Sequence, residues 1–224
     1  MISDFELMER HVKVLFRHDD ENRITVINEP PYERAPRIFV GATRFGNIIR
    51  YSNKLDESLV DELGQVIGAD PGVDPGKIVR ILCAERPINH FWIGPAFLFP
   101  DTNDRPTKAI QITESNKALL KPNFPYTFDE FQYKQPCFAI VENEKAVSVC
   151  CSARQTDRAA EASLAIIEAY RGRAFAVDVS NAWAREVQKQ GRMALYSTSW
   201  DNFASQSVAR KLHLMQYGTD IHMS

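Results

Sequence analysis

No stretch of this chain approaches the roughly 20 consecutive apolar residues that a membrane-spanning helix needs, so no span and no membrane partner is expected. Charge of either sign is not in excess. The 27 Lys and Arg offset 29 Asp and Glu, for a net charge of −2, which gives no support for a nucleic-acid partner. The four cysteines, Cys83, Cys137, Cys150 and Cys151, form no C-x-x-C pair, and the five histidines (His11, His18, His90, His213 and His222) lack ligand spacing; no metal is expected. Cys150 and Cys151 are neighbours on an expected strand, so they point to opposite faces and read as small buried hydrophobes. No basic region opens the N-terminus, where Asp4 and Glu6 stand instead, and the cytoplasm is the expected location. Ser197, Thr198 and Ser199 lie in no G-x-S-x-G elbow and read as plain strand residues.

The chain does have an ordinary globular composition, 44% apolar and 25% charged over 224 residues. That length suits one large domain or two small ones. Two stretches of turn formers interrupt it, Gly68 to Gly76 and Phe99 to Pro106. The second divides an N-terminal α+β region of unassigned role, 1–105, from a C-terminal domain, 106–224. In the first part, helices are expected near 4–17, 56–67 (capped by Asp56) and 76–84, and strands near 23–28, 37–42 and 46–52. The aromatic cluster of Phe91, Trp92, Phe97 and Phe99 reads as core. In the second part, strands are expected at 109–113, 137–142, 146–154, 160–167, 194–200 and 215–222. The pair 137–142 and 146–154 reads as an antiparallel hairpin about Asn143-Glu144-Lys145. Helical patterns cover 114–121, weakly 128–135, then 175–190 and 202–212. Phe175, Val179, Trp183 and Val187 recur every four residues, with Ala182 beside them, giving one apolar face that Gly191 ends.

The most informative segment is Tyr170-Arg171-Gly172-Arg173-Ala174-Phe175-Ala176, between the strand at 160–167 and the long helix. The first amides of a helix have no partners within it, and that end is positive, so a strand, small-residue turn and helix start suit a phosphate. Arg171 and Arg173 add charge, and Gly172, Ala174 and Ala176 keep side chains clear. About thirty residues on comes Asn202-Phe203-Ala204-Ser205, followed by Ala209-Arg210-Lys211-Leu212.

Taken together, the order of elements and these two motifs make residues 107–224 similar to the GNAT superfamily of acetyl-CoA-dependent N-acetyltransferases. The family's Gln/Arg-x-x-Gly-x-Gly/Ala turn falls on Arg171 to Ala176, with Ala174 where the pattern has glycine. Its Asn-x-x-Ser and Lys-Leu positions fall on Asn202, Ser205, Lys211 and Leu212, while His213 and Leu214 stand in place of Gly-Phe. The resemblance implies a mixed, mostly antiparallel sheet flanked by helices, to which the chain adds a small α+β N-terminal region. It implies that the backbone of Arg171, Gly172, Arg173, Ala174, Phe175 and Ala176 holds the pyrophosphate of acetyl-CoA. It implies further that Asn202 and Ser205 lie near the pantetheine arm. Leu164, Ala165 and Ile166 fall on the strand stretch that splays from its neighbour, with Ile166 the N–H donor to the thioester oxygen. Ala209 occupies the place where many relatives carry a tyrosine that protonates the departing thiolate.

Acetyl transfer to an amine requires that the amine first lose a proton, and Glu161, early on the same strand, is the candidate base. The alternative is an ordinary charged residue on an exposed strand face. Glu161 and Ile166 are an odd number apart, so without a bulge their side chains face opposite ways. Asp157 and Glu168 read as solvated loop charges, and Phe124 to Phe128 as a substrate-side loop. The expected function is N-acetyl transfer from acetyl-CoA, used as co-substrate, to an amine acceptor. A non-catalytic acyl-CoA-binding module on the same fold is the alternative. A homo-dimer is compatible with either, the N-terminal region being one candidate contact.

Overall fold

The computed structural model describes residues 2–68, 72–101 and 107–224. The expected turn at 68–76 and the break at 99–106 lie partly outside the described residues, as does the expected boundary at 105 and 106. The chain divides into two compact units. Unit 1 comprises Met1–Phe97, Ser197–Asn202 and Gln216–Ser224, and unit 2 comprises Leu98–Tyr196 and Phe203–Met215.

Unit 1 opens with helix α1, Asp4–Leu15, started by a capping box in which Ser3 and Glu6 exchange hydrogen bonds. Strands β1 (Phe16–His18) and β2 (Ile24–Ile27) pair antiparallel. Strands β3 (Ile38–Thr43) and β4 (Gly46–Tyr51) form a hairpin, followed by helices α2 (Glu57–Ile67) and α3 (Pro75–Glu85). With β5 (Phe91–Leu98) and the C-terminal strand β11 (Met215–Met223), the strand order of this unit is β4-β3-β11-β5. Ile38, Val40, Leu63, Ile78, Leu82, Ile221 and Met223 make one core between strands and the α2–α3 pair. Each fully buried side chain of this size adds roughly 1.5–3 kcal/mol. Asp56 stands at the N-cap of α2 but makes no side-chain cap hydrogen bond, contrary to its expected role. The aromatic cluster also departs from expectation in part: Phe91 is 44% exposed, while Phe99, in unit 2, is buried.

Unit 2 contains β6 (Ile110–Ile112), α4 (Pro125–Asp129), β7 (Cys137–Glu142), β8 (Lys145–Gln155) and β9 (Ala159–Ile166). Helix α5 (Phe175–Lys189), β10 (Met193–Ser197) and α6 (Phe203–Lys211) follow. The helix expected at 114–121 is a short 3-10 turn at Lys117–Leu120, and the weak pattern at 128–135 resolves into the end of α4 and a 3-10 turn at Phe131–Tyr133. Strand order is β10-β9-β8-β7-β6, with every neighbour antiparallel except β9 and β10. The expected mostly antiparallel sheet is therefore present. Phe175, Val179, Trp183 and Val187 of α5 are buried as the four-residue spacing requires, and Trp183 Nε1 donates to Ser152 Oγ at 3.2 Å. The other face of the sheet carries Cys137, Ala139, Val149 and Cys151 against Leu120, Phe124 and Phe131. Cys150 and Cys151 thus do face opposite ways and are buried; Cys83 is exposed.

Candidate functional site

Two local features of unit 2 build the site. The first is the edge of β9. Ile167 donates its N–H to Val147 of β8 at 2.9 Å, and an antiparallel ladder alternates its donors. The odd residues 163 and 165 therefore turn their N–H groups to β8, and Leu164 and Ile166 turn theirs to the opposite edge. On that edge β10 pairs only with Ala159, Ala160 and Glu161. The two strands part beyond the Leu195–Glu161 pair, and the N–H groups of Leu164 and Ile166 face the resulting wedge.

The second feature is the turn before α5. Gly172 has φ +79°, and a Cβ there would meet nothing within 4 Å, so the backbone is open to an approaching group. Ala174, the N-cap, also sits in the left-handed region, at φ 63° and ψ 2°, and offers no side-chain cap. A helical φ would suit alanine there as well as glycine, but the position does not take one. The methyl group makes the left-handed conformation cost about 1–2 kcal/mol. The first intrahelical bond of α5 is Asp178 N–H to Ala174 O at 3.1 Å. Among the described residues, the amides of Gly172 to Val177 have no hydrogen-bond acceptor. The Arg171 amide is different, being bonded to Glu168 O at 3.1 Å, so Arg171 has no free main-chain donor for the set.

A groove of about 220 Å³ runs from this turn to α6, lined by Ile166, Arg171, Gly172, Ala174, Phe175 and Ala176, with Val177, Ala204, Ser207, Val208 and Lys211. Six expected site residues therefore share one cavity. Leu164, Ala165, Arg173, Glu161 and Ser205 do not line it. Arg173 lies over the Tyr170 ring at 4.9 Å, and Ala165 O accepts from Ser148 Oγ at 3.3 Å. Ser205 bonds instead to the Tyr196 hydroxyl at 2.5 Å. Asn202, in unit 1, is exposed in the turn before α6, its amide on Ser199 O at 3.2 Å. The α6 wall was legible in part: residues 204, 207, 208 and 211 follow the i, i+3, i+4, i+7 spacing of one helix face.

Glu161 is 5% exposed, which corrects the reading of it as a charge on an exposed face. Arg154 pairs with it at 3.8 Å. The strand irregularity nearby lies on β8, between Ser152 and Arg154. Strand β9 itself is unbroken, and the side chains of Glu161 and Ile166 face opposite sides, as their spacing requires. Asp157 and Glu168 are exposed, each beside an arginine. Ala209, at the family's tyrosine position, is 1% exposed. Burial raises Asp178, one turn into α5, and the charge of Lys108 acts in the other direction. Among the described residues no group of three or more His, Cys, Asp or Glu is arranged to hold a metal ion. No described helix is long and apolar enough to cross a membrane.

The family model of the GNAT acetyltransferases matches residues 100–217, and the chain belongs to that family. No curated protein matches it. Among solved structures it is similar to a GCN5-related N-acetyltransferase-like protein from Streptococcus suis, with TM-score 0.53 and 12% identity over 99% of this chain and 100% of that one. A GCN5-related N-acetyltransferase from Kribbella flavida gives TM-score 0.51 and 13% identity over 99% and 95% of the two chains. A GNAT-family protein from Novosphingobium aromaticivorans gives 0.53 and 11%, over 61% of this chain and 65%, just under two thirds, of the other. At these identities the likeness shows the fold.

Proposed function

We propose that this protein transfers an acetyl group from acetyl-CoA to an amine acceptor by direct attack in a ternary complex. The observation that carries this reading is the run of unbonded amides from Gly172 to Val177, opening into a groove that Arg171 and Lys211 also line. A main-chain cradle of this kind at a helix N-terminus suits a diphosphate. Ile166 lines the same groove and turns its N–H to the open edge of β9, so a thioester oxygen there gains a fixed donor. Acetyl-CoA supplies the activated acyl carbon, and the protein binds, orients and removes a proton. We assign that proton to Glu161, directly or through a water, and keep Asn202 and Ser205 as neighbours of the pantetheine arm.

The alternative reading, a binding module that holds the coenzyme without turnover, is favoured by Ala174 and by the alanine at 209. The two separate in one experiment. Saturation at about 100 times the dissociation constant adds roughly 2.7 kcal/mol, raising the melting temperature of a chain this size by about 5–10 °C. Both readings require that shift, and an unmoved melting curve rejects both. Thiol release with a panel of amines then distinguishes the enzyme from the module. In the enzyme, Glu161→Gln should lower turnover about 10²-fold or more while leaving the acetyl-CoA melting shift intact. Unchanged turnover removes Glu161 from the mechanism.

A further inference from the structure

The wedge between β9 and β10 has a second polar wall, of which the reading above uses only Ser205. Tyr196 is the first residue of β10 beyond its last paired position, Leu195 opposite Glu161. Its hydroxyl lies 2.5 Å from Ser205 Oγ in the first turn of α6. The phenol is 3% exposed, its ring set edge-on to Phe99 at 6.3 Å, and Phe99 meets Trp183 in the same way at 5.7 Å. The ring is thus fixed by packing and its hydroxyl aimed at α6. Across the wedge stand the outward N–H groups of Leu164 and Ile166. Ala204, beside Ser205 on α6, lines the groove that Ile166 also lines. A thioester with its oxygen on Ile166 N–H therefore has its sulfur on the side where β10 and α6 meet.

We infer that Tyr196 and Ser205 form a hydrogen-bond relay that steadies the departing coenzyme sulfur in place of the tyrosine absent at position 209. This rests on the acetyl-CoA reading. Ser205 directs its O–H to the sulfur while its oxygen accepts from the Tyr196 hydroxyl, so Tyr196 is a positioning residue acting through Ser205. Chained donors polarise one another and strengthen the outer bond. The relay donates without giving up a proton. Burial pushes the Tyr196 phenol up to about 12, although the bond to Ser205 pulls the other way. An alkyl thiol titrates near 8.5. A phenol that weak is a poor acid toward a thiolate and remains a donor across the working pH range. The amine nitrogen bonds to the acyl carbon and its proton passes to Glu161, directly or through a water; when the C–S bond breaks its electron pair stays on sulfur, and the thiolate takes its proton from water.

The test needs no acceptor. The thiol of free CoA bound to the protein is titrated by its ultraviolet thiolate absorbance, with the ligand-free protein subtracted. A donor relay should lower the midpoint of bound CoA by about one unit below that of CoA in solution. Tyr196→Phe should return it toward the solution value with the CoA-induced melting shift retained, and Ser205→Ala should return it likewise, with a smaller melting shift. A midpoint in Tyr196→Phe equal to that of the unaltered protein overturns the relay. If Tyr196→Phe does not fold, the same comparison with Ser205→Ala decides. Absence of any CoA-induced melting shift in the unaltered protein overturns the acetyl-CoA reading itself, an outcome distinct from failure of the relay.

Discussion

Unit 1 joins buried polar side chains from distant elements into networks, whereas unit 2 leaves a run of main-chain donors facing outward. In unit 1, His11 Nδ1 lies 2.6 Å from the Tyr217 hydroxyl and Nε2 lies 3.1 Å from Asp220, which also accepts from Trp92 Nε1 at 2.8 Å. A neutral imidazole uses both nitrogens here if Nε2–H donates to the carboxylate and Tyr217 donates to Nδ1. Buried Arg37 donates to Leu82 O and Arg86 O at the end of α3 and pairs with Glu85, so its charge meets the negative end of that helix. In unit 2 the N-terminal end of α5, at Ala174, has no side-chain cap. The contrast separates polar groups that stabilise the protein from polar groups that await a ligand. An unbonded donor in open space costs little until something binds it, but a buried one left without a partner costs about 1–3 kcal/mol.

The largest way to break the contrast is Asp220→Ala. It strips partners from buried His11 and half-buried Trp92, at a cost of about 3 kcal/mol. At about 2–4 °C per kcal/mol for a chain this size the melting temperature should fall by about 10 °C. The acetyl-CoA-induced shift should survive in the fraction that folds. If the ligand shift vanished while the fold held, the division of labour between the units would be wrong. The mirror experiment is Gly172→Asp. It forces a side chain at φ +79° and sets a carboxylate at the anion turn, so the roughly 2.7 kcal/mol expected at saturation should disappear. The protein's own melting temperature should drop by only a few degrees. Retained coenzyme stabilisation in that variant would remove the phosphate role from the turn.

How much of this could be read from the residues follows from how far apart the partners are. The stripe Phe175, Val179, Trp183 and Val187 is local, and so are the 137–155 hairpin and the Gly172 turn; all stand where their spacing puts them. The uncovered edge of β9 was legible only through family resemblance, because it depends on where β10 stops pairing. That Arg171 spends its amide on Glu168 depends on a 3-10 turn at Glu168–Tyr170, which no periodicity announces in three residues. The His11–Tyr217–Asp220 network joins residues more than 200 positions apart. Composition marks each as an ordinary polar residue, and only tertiary packing makes them one unit. For the same reason unit 1 yielded elements but no chemistry.

A smaller change sharpens the contrast from the ligand side. Ala174→Gly removes a methyl group from a left-handed N-cap, at φ 63°. It should stabilise the protein by about 0.5–1 kcal/mol, net of the greater chain entropy of glycine, or about 2 °C. Coenzyme titration should also reach half-saturation at a lower concentration, since the open amides no longer sit in a strained frame. A lower melting temperature would mean that the methyl group has a packing role the turn geometry does not reveal.

The smallest expected effect tests whether closure in unit 1 depends on its buried networks or on every polar residue placed to form a cap. Ser3 and Asp74 cap α1 and α3 through their side chains, but Asp56, equally suited by residue type, makes no such bond at α2. That helix is held by Leu63 and Ile67 in the core, with Leu59, Val60 and Val66 packed around them, and by the Arg23–Glu57 pair at 2.7 Å. Asp56→Ala should therefore change stability by less than about 0.5 kcal/mol, where loss of a working cap costs about 1 kcal/mol. Asp74→Ala, whose carboxylate accepts from Gly76 N at 2.9 Å, supplies the matched comparison. Equal losses in the two variants would show that Asp56 caps α2 in solution, and that unit 1 closes its helix starts more completely than the contrast allows.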